Sequence, residues 1–157
     1  MITLKEGQQA PDFELCDGDK KLTRLIDFSG KKLVLYFYPR DDTPGCTKEA
    51  CDIRDNFSAI KKLKVEVLGV SSNDAISHKK FASKYNLPFR LLADTQNEVS
   101  KKYGSYELKK FMGREYYGIT RSTFIIDEKG KIMKIFYKVN PEKNIDFIFD
   151  VLEEKGK

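Results

Sequence analysis

The residues best suited to chemistry lie in one stretch, Pro39-Arg40-Asp41-Asp42-Thr43-Pro44-Gly45-Cys46-Thr47-Lys48-Glu49-Ala50-Cys51. Asp41 to Gly45 reads as a loop by its turn residues. Beyond it Ala50, Ile53, Phe57 and Ile60 recur at spacings of three and four, one face of an amphipathic helix. Thr43 suits the N-cap and Pro44 the first helical position, so Cys46 falls in the first turn. Unpaired backbone N–H groups and the positive end of the helix dipole stabilise a negative sulfur there. A thiolate is a nucleophile, so the chemistry expected of this segment is attack by Cys46 on an electrophile.

The chain holds three cysteines, Cys16, Cys46 and Cys51, and a single histidine, His78. An odd, small number of cysteines is not a disulfide framework, and one histidine adds too little for a zinc site. Each cysteine is therefore either packing or redox chemistry. Cys16 continues an apolar alternation after Phe13 and Leu15 and reads as a packing or surface residue. His78, within Ser77-His78-Lys79-Lys80, reads as exposed. No metal or cofactor is expected.

The elements that must position Cys46 follow from the apolar pattern. Leu33 to Tyr38 is a continuous apolar run closed by Pro39, the mark of a strand buried on both faces. Val65–Ser71 and Phe89–Ala93 read as further strands, separated by a helix over Asp74–Tyr85. A shorter helix follows over Gln96–Tyr103. Thr123–Ile126 and Lys131–Lys138 form strands around the turn Asp127-Glu128-Lys129-Gly130. Pro141 opens a final helix with Ile145, Ile148, Phe149 and Leu152 on one face. Phe13–Cys16 and Leu22–Leu25 flank a turn at Asp17-Gly18-Asp19, an N-terminal β-hairpin. Alternating strands and helices predict an α/β fold, and the late hairpin makes its central sheet mixed. No element is assigned to residues 104–122.

With 157 residues, 40% of them hydrophobic, one domain over residues 1–157 with a sizeable core is expected. The longest apolar run falls far short of the ~20 residues that span a membrane, so the chain reads as soluble and cytoplasmic, without a membrane partner. Lys and Arg exceed Asp and Glu by 29 to 24. The lysines come in scattered pairs interleaved with acids, which favours a solvated surface over a nucleic-acid groove.

The Pro39, Thr43 and Cys46 spacing resembles the Pro-x-x-x-Thr-x-x-Cys motif of the peroxiredoxins. The likeness extends over most of the chain. It includes Ala10-Pro11-Asp12-Phe13, Val34 to Pro39, Leu68-Gly69-Val70-Ser71, Leu87-Pro88-Phe89 and Gly118 to Asp127. A second cysteine five residues after the first, here Cys51, is similar to the peroxiredoxin Q (bacterioferritin comigratory protein) subgroup. One departure is Ser72-Asn73, where the subgroup often carries a Pro-Asp pair; it bears on loop shape rather than chemistry.

The resemblance implies a thioredoxin-like fold and a thiol peroxidase. Cys46 would attack the terminal peroxide oxygen and become a sulfenic acid. Thr43 and Arg121 would supply fixed donors to the charge that develops on sulfur and oxygen. Pro39 would shield the pocket from water, and Glu49 would orient Arg121. Cys51 would resolve the sulfenic acid as an intramolecular disulfide, recycled by thioredoxin or a glutaredoxin-like reductant. Subgroup members are commonly monomers, with dimers also known. Cα atoms five residues apart in an α-helix are about 8.6 Å apart, beyond the ~7 Å limit of a disulfide, so the helix must unwind in each cycle. Three other readings remain open at this point. A thiol–disulfide oxidoreductase usually carries Cys-x-x-Cys, which is absent here. A redox sensor or holdase would be oxidised without turnover. A basic nucleic-acid module would bind in a salt-dependent way without Cys46.

Overall fold

The computed structural model describes residues 4–154. Its strands are β1 (Glu14–Cys16), β2 (Leu22–Arg24), β3 (Lys32–Phe37), β4 (Val65–Ser71), β5 (Arg90–Ala93), β6 (Tyr106–Phe111), β7 (Arg114–Ile119), β8 (Ser122–Ile126) and β9 (Ile132–Tyr137). Its helices are α1 (Pro44–Asp55), α2 (Phe57–Lys62), α3 (Ala75–Tyr85), α4 (Glu98–Lys102) and α5 (Asn144–Glu154). Seven strands form a mixed sheet in the order β2-β1-β5-β4-β3-β8-β9, and β6 with β7 forms a separate ribbon. The α/β class, the mixed sheet and the N-terminal hairpin all follow the sequence expectation.

The apolar run Leu33 to Phe37 becomes the central strand, parallel to β4 and antiparallel to β8. Leu33, Leu35 and Phe37 face one core with Leu68, Val70, Leu92 and Phe124. Val34 and Tyr36, with Tyr38 beyond the strand, face the other, shared with Cys46, Ala50 and Ile53 of α1 and Ile148 of α5. Both faces are covered, which is why this strand shows no polar alternation. Ile53, fully buried, ties α1 to the sheet; removing such a side chain from water stabilises by roughly 2 kcal/mol. The helix start that bears Cys46 therefore sits at the carboxyl end of the central strand.

Four features differ from the expectation. The helix predicted through Ile60 breaks at Asn56, whose side-chain amide donates to the Asp52 carbonyl at 2.8 Å and so competes with the helical ladder. The apolar face nevertheless continues across the break, because Ile60 of α2 is buried in the same core as Ile53. The last helix begins at Asn144, after a turn over 141–143. Residues 106–119, given no element from sequence, form the β6–β7 hairpin. Its two-residue turn has positive φ at both Met112 (51°) and Gly113 (79°), the conformation that lets a tight turn follow the strand twist. Its tip is largely exposed, including Phe111, Met112 and Tyr117, so the period-two signal that marks a half-buried strand is weak.

His78 is the fourth. It is fully buried, not exposed. Its Nδ1 lies 2.8 Å from Asp41 Oδ2 and its Nε2 lies 2.9 Å from the Leu92 carbonyl oxygen. A carbonyl only accepts, so Nε2 carries a hydrogen. Lys79 and Lys80, which follow it, are exposed, while helical geometry turns the His78 ring inward.

Candidate active site

The loop from Pro39 to Thr43 is fastened from within. Asp41 accepts hydrogen bonds from the Tyr38 hydroxyl (2.6 Å) and the Ser77 hydroxyl (2.8 Å) besides its contact with His78. The Asp41 backbone N–H donates to Asn73 Oδ1 at 2.9 Å. Asp42, in the left-handed region at φ 56°, bonds Lys84 and Tyr85 of α3. Strand end, loop and α3 are thus locked together immediately before Cys46.

Thr43 occupies the N-cap with extended backbone, and Pro44 is the first helical residue, as expected. The Thr43 side chain makes no cap bond; its hydroxyl donates to the Arg40 carbonyl at 2.9 Å. With its hydrogen spent on Arg40, Thr43 presents oxygen lone pairs and leaves the first-turn N–H groups to other acceptors.

Cys46 is 2% exposed. Arg121, between β7 and β8, reaches it from the far side: Nη2 donates to Cys46 Sγ at 3.4 Å and Nη1 to Glu49 Oε1 at 2.7 Å. A hydrogen bond from Val139 N–H to the Arg121 carbonyl fixes its backbone. Gly45 makes the approach feasible, since a Cβ there would lie 3.3 Å from Arg121 Nη2 and 3.3 Å from Pro141 Cγ. Burial works against the guanidinium charge. The charges of Glu49 and Cys46 outweigh it, so Arg121 is held above its ordinary value.

Glu49 is 1% exposed. Its second oxygen accepts from Asn144 Nδ2 at 2.9 Å, and Asn144 in turn accepts from the Thr123 hydroxyl at 2.7 Å. Burial pushes the Glu49 carboxyl up to about 7, against the opposing pull of Arg121 and Asn144.

Of the six site residues expected from sequence, Cys46, Glu49 and Arg121 are in contact. Thr43 lies at the helix start and Pro39 is exposed at the end of the central strand. Cys51 is half-buried in the same helix as Cys46, and both thiols are free. Cys16 is half-buried on β1, opposite Leu22. Asp41, His78, Thr123 and Asn144 were not anticipated as parts of the site. For Asn144 no local signal exists, because its partner lies 95 residues earlier in the chain. Among the described residues no cluster of metal ligands occurs and no helix is long and apolar enough to cross a membrane.

Comparison with known proteins agrees with this fold. Residues 6–135 match the AhpC/TSA family model. The peroxiredoxin Bcp of Bacillus subtilis (strain 168) is 42% identical over 156 residues, 99% of each chain. The bacterioferritin comigratory protein of Xanthomonas campestris, studied for alkyl peroxide reduction, superposes with a TM-score of 0.87 at 30% identity over 92% of each chain. Xylella fastidiosa PrxQ does so with a TM-score of 0.93 at 25% identity over 100% of each. The frame is therefore the thioredoxin-like fold of those enzymes. A thiol at a helix start under a buried arginine, on that frame and with that degree of likeness, makes the chain a member of the AhpC/TSA family, in its Bcp and peroxiredoxin Q branch.

Proposed function

We propose that the protein is a thiol peroxidase that reduces hydrogen peroxide and small organic hydroperoxides at Cys46. The observation that carries the reading is the Arg121 guanidinium directed at Cys46 Sγ at 3.4 Å. The sulfur attacks the terminal peroxide oxygen; an S–O bond forms, the O–O bond breaks, and the departing alkoxide takes up a proton to leave as alcohol or water. Charge spreads over sulfur and both oxygens in that transition state. Arg121 and the first-turn N–H groups are fixed donors facing it, and they need no reorganisation as the charge moves. Thr43, whose lone pairs face away from Arg40, accepts the peroxide hydroxyl, and Pro39 shields the pocket. Glu49 orients Arg121.

Cys51 resolves the sulfenic acid. Its thiolate attacks Cys46 sulfur, the S–S bond forms, and hydroxide leaves as water. An intramolecular disulfide is the substrate of dithiol exchange proteins, so thioredoxin or a glutaredoxin-like protein is the reductant. Such recycling suits a reducing compartment, here the cytoplasm. The working unit is a monomer formed by a single domain over residues 1–157.

The test is peroxide consumption with thioredoxin, thioredoxin reductase and NADPH. Wild type should turn over continuously and Cys46→Ser not at all. Cys51→Ser should consume peroxide with a small thiol but not with thioredoxin. Rapid oxidation of Cys46 without turnover under any dithiol reductant would favour a redox sensor instead.

A further inference from the structure

Glu49 has two donors, and only one of them, Arg121, belongs to the site expected from sequence. The other is Asn144, the first residue of α5, which is fully buried. Its NH₂ group donates to Glu49 Oε2, and its Oδ1 receives the Thr123 hydroxyl. A continuous run of hydrogen bonds therefore leads from β8 through α5 to α1 and the reacting sulfur: Thr123 to Asn144, Asn144 to Glu49, Arg121 to Glu49, Arg121 to Cys46.

The place of Glu49 in the chain gives this run a second role. Glu49 lies between Cys46 and Cys51, inside the segment of α1 that must unwind before the two sulfurs can meet. Unwinding pulls its carboxylate away from both donors at once. The bonds that aim Arg121 at the sulfur are also bonds that hold the helix closed.

We infer that Asn144 is a positioning residue that latches Glu49, speeding peroxide attack at Cys46 while restraining the unwinding that disulfide formation requires. The inference rests on the proposed roles of Cys46 and Cys51. Its signature is opposite movement of two steps. Loss of the Asn144 amide leaves one Glu49 oxygen buried without a donor, so both Arg121 and the closed helix lose support. Hydrogen bonds to charged groups are strong enough that each step should change about tenfold. Peroxide attack slows, and closure of the sulfenic acid to the disulfide accelerates.

Rapid acid quench with intact-mass detection separates the steps, since the sulfenic acid gains one oxygen and the disulfide has lost two hydrogens from the starting dithiol. Wild type, Asn144→Ala, Thr123→Val and Thr123→Ser are compared under excess hydrogen peroxide. Asn144→Ala should show slower oxygen gain and faster disulfide closure. Thr123→Val should move both steps the same way by less, and Thr123→Ser, which keeps the hydroxyl, should match wild type. Thr123→Val carries the test by itself if Asn144→Ala does not fold. Unchanged rates in folded variants, or both steps slowing together as general damage would cause, overturn the latch. A wild-type protein that neither gains oxygen nor loses two hydrogens overturns the site assignment, an outcome visible before any variant is compared.

Discussion

Arg121 is the residue on which most of the site's electrostatics converges, and it is only 15% exposed. Its guanidinium divides two nitrogens between a carboxylate and a sulfur, a fork that a lysine ammonium cannot reproduce. Arg121→Lys should therefore lower the second-order rate of Cys46 oxidation by about 100-fold, near the loss seen when a fixed transition-state donor is removed. Competition of the variant with a fluorogenic peroxide probe measures it. Glu49 makes a separate prediction through its proton. Its folded value, about 7, lies above the ordinary 4.5, so between those limits the native state binds the extra proton and the unfolded chain does not. Stability then falls as pH rises. The contribution is complete below pH 4.5, is lost progressively up to about 7, and stays lost above it. Glu49→Gln removes this slope, so urea denaturation of variant and wild type should diverge in favour of the variant as pH increases over that window.

At the level of elements, two segments behave in opposite ways. The loop before α1 is held by Asp41 to Tyr38, Ser77 and His78, and through its backbone to Asn73. His78→Ala would leave the Leu92 carbonyl and Asp41 with one partner fewer each, all within the core. The expected loss is about 3 kcal/mol, read from the urea midpoint at constant slope. Helix α1 itself is held by a few polar bonds at its start and by Ala50 and Ile53 further on. Elements that move in function are drawn from the less stable parts of a fold. Amide exchange over Cys46 to Asp52 should accelerate on oxidation to the disulfide, whereas β3 and β4 should stay protected. Equal protection in both redox states would show that the helix does not unwind.

For the molecule as a whole, the sheet binds the parts together. β3 contributes to cores on both faces, so the segments that precede it and the helices that follow share one strand. Loss of either face exposes the same buried residues. Calorimetric unfolding of the reduced protein should accordingly show one transition, with calorimetric and van't Hoff enthalpies equal, as a single cooperative domain requires. Two resolved transitions would divide the chain into independent units. The exposed β6–β7 ribbon adds little to this cooperativity, since most of its side chains between Leu108 and Tyr117 face solvent.

Sequence by itself determined what depends on near neighbours. The N-cap threonine, the proline after it and the apolar spacing beyond place Cys46 in a first helical turn, because those signals act within a few residues. The unbroken run at Leu33 marked the central strand for the same reason, and the spacing of Pro39, Thr43 and Cys46 led to the family. Tertiary structure decided the partners. Arg121 meets Cys46 across 75 residues of chain and Asn144 meets Glu49 across 95, distances over which no periodicity operates. His78 shows the limit most clearly: its polar neighbours suggested solvent, yet one turn of helix aims it at Asp41, 37 residues away. Burial of a polar side chain is stable only when a partner is brought to it, and which partner arrives is settled by how the strands order in the sheet.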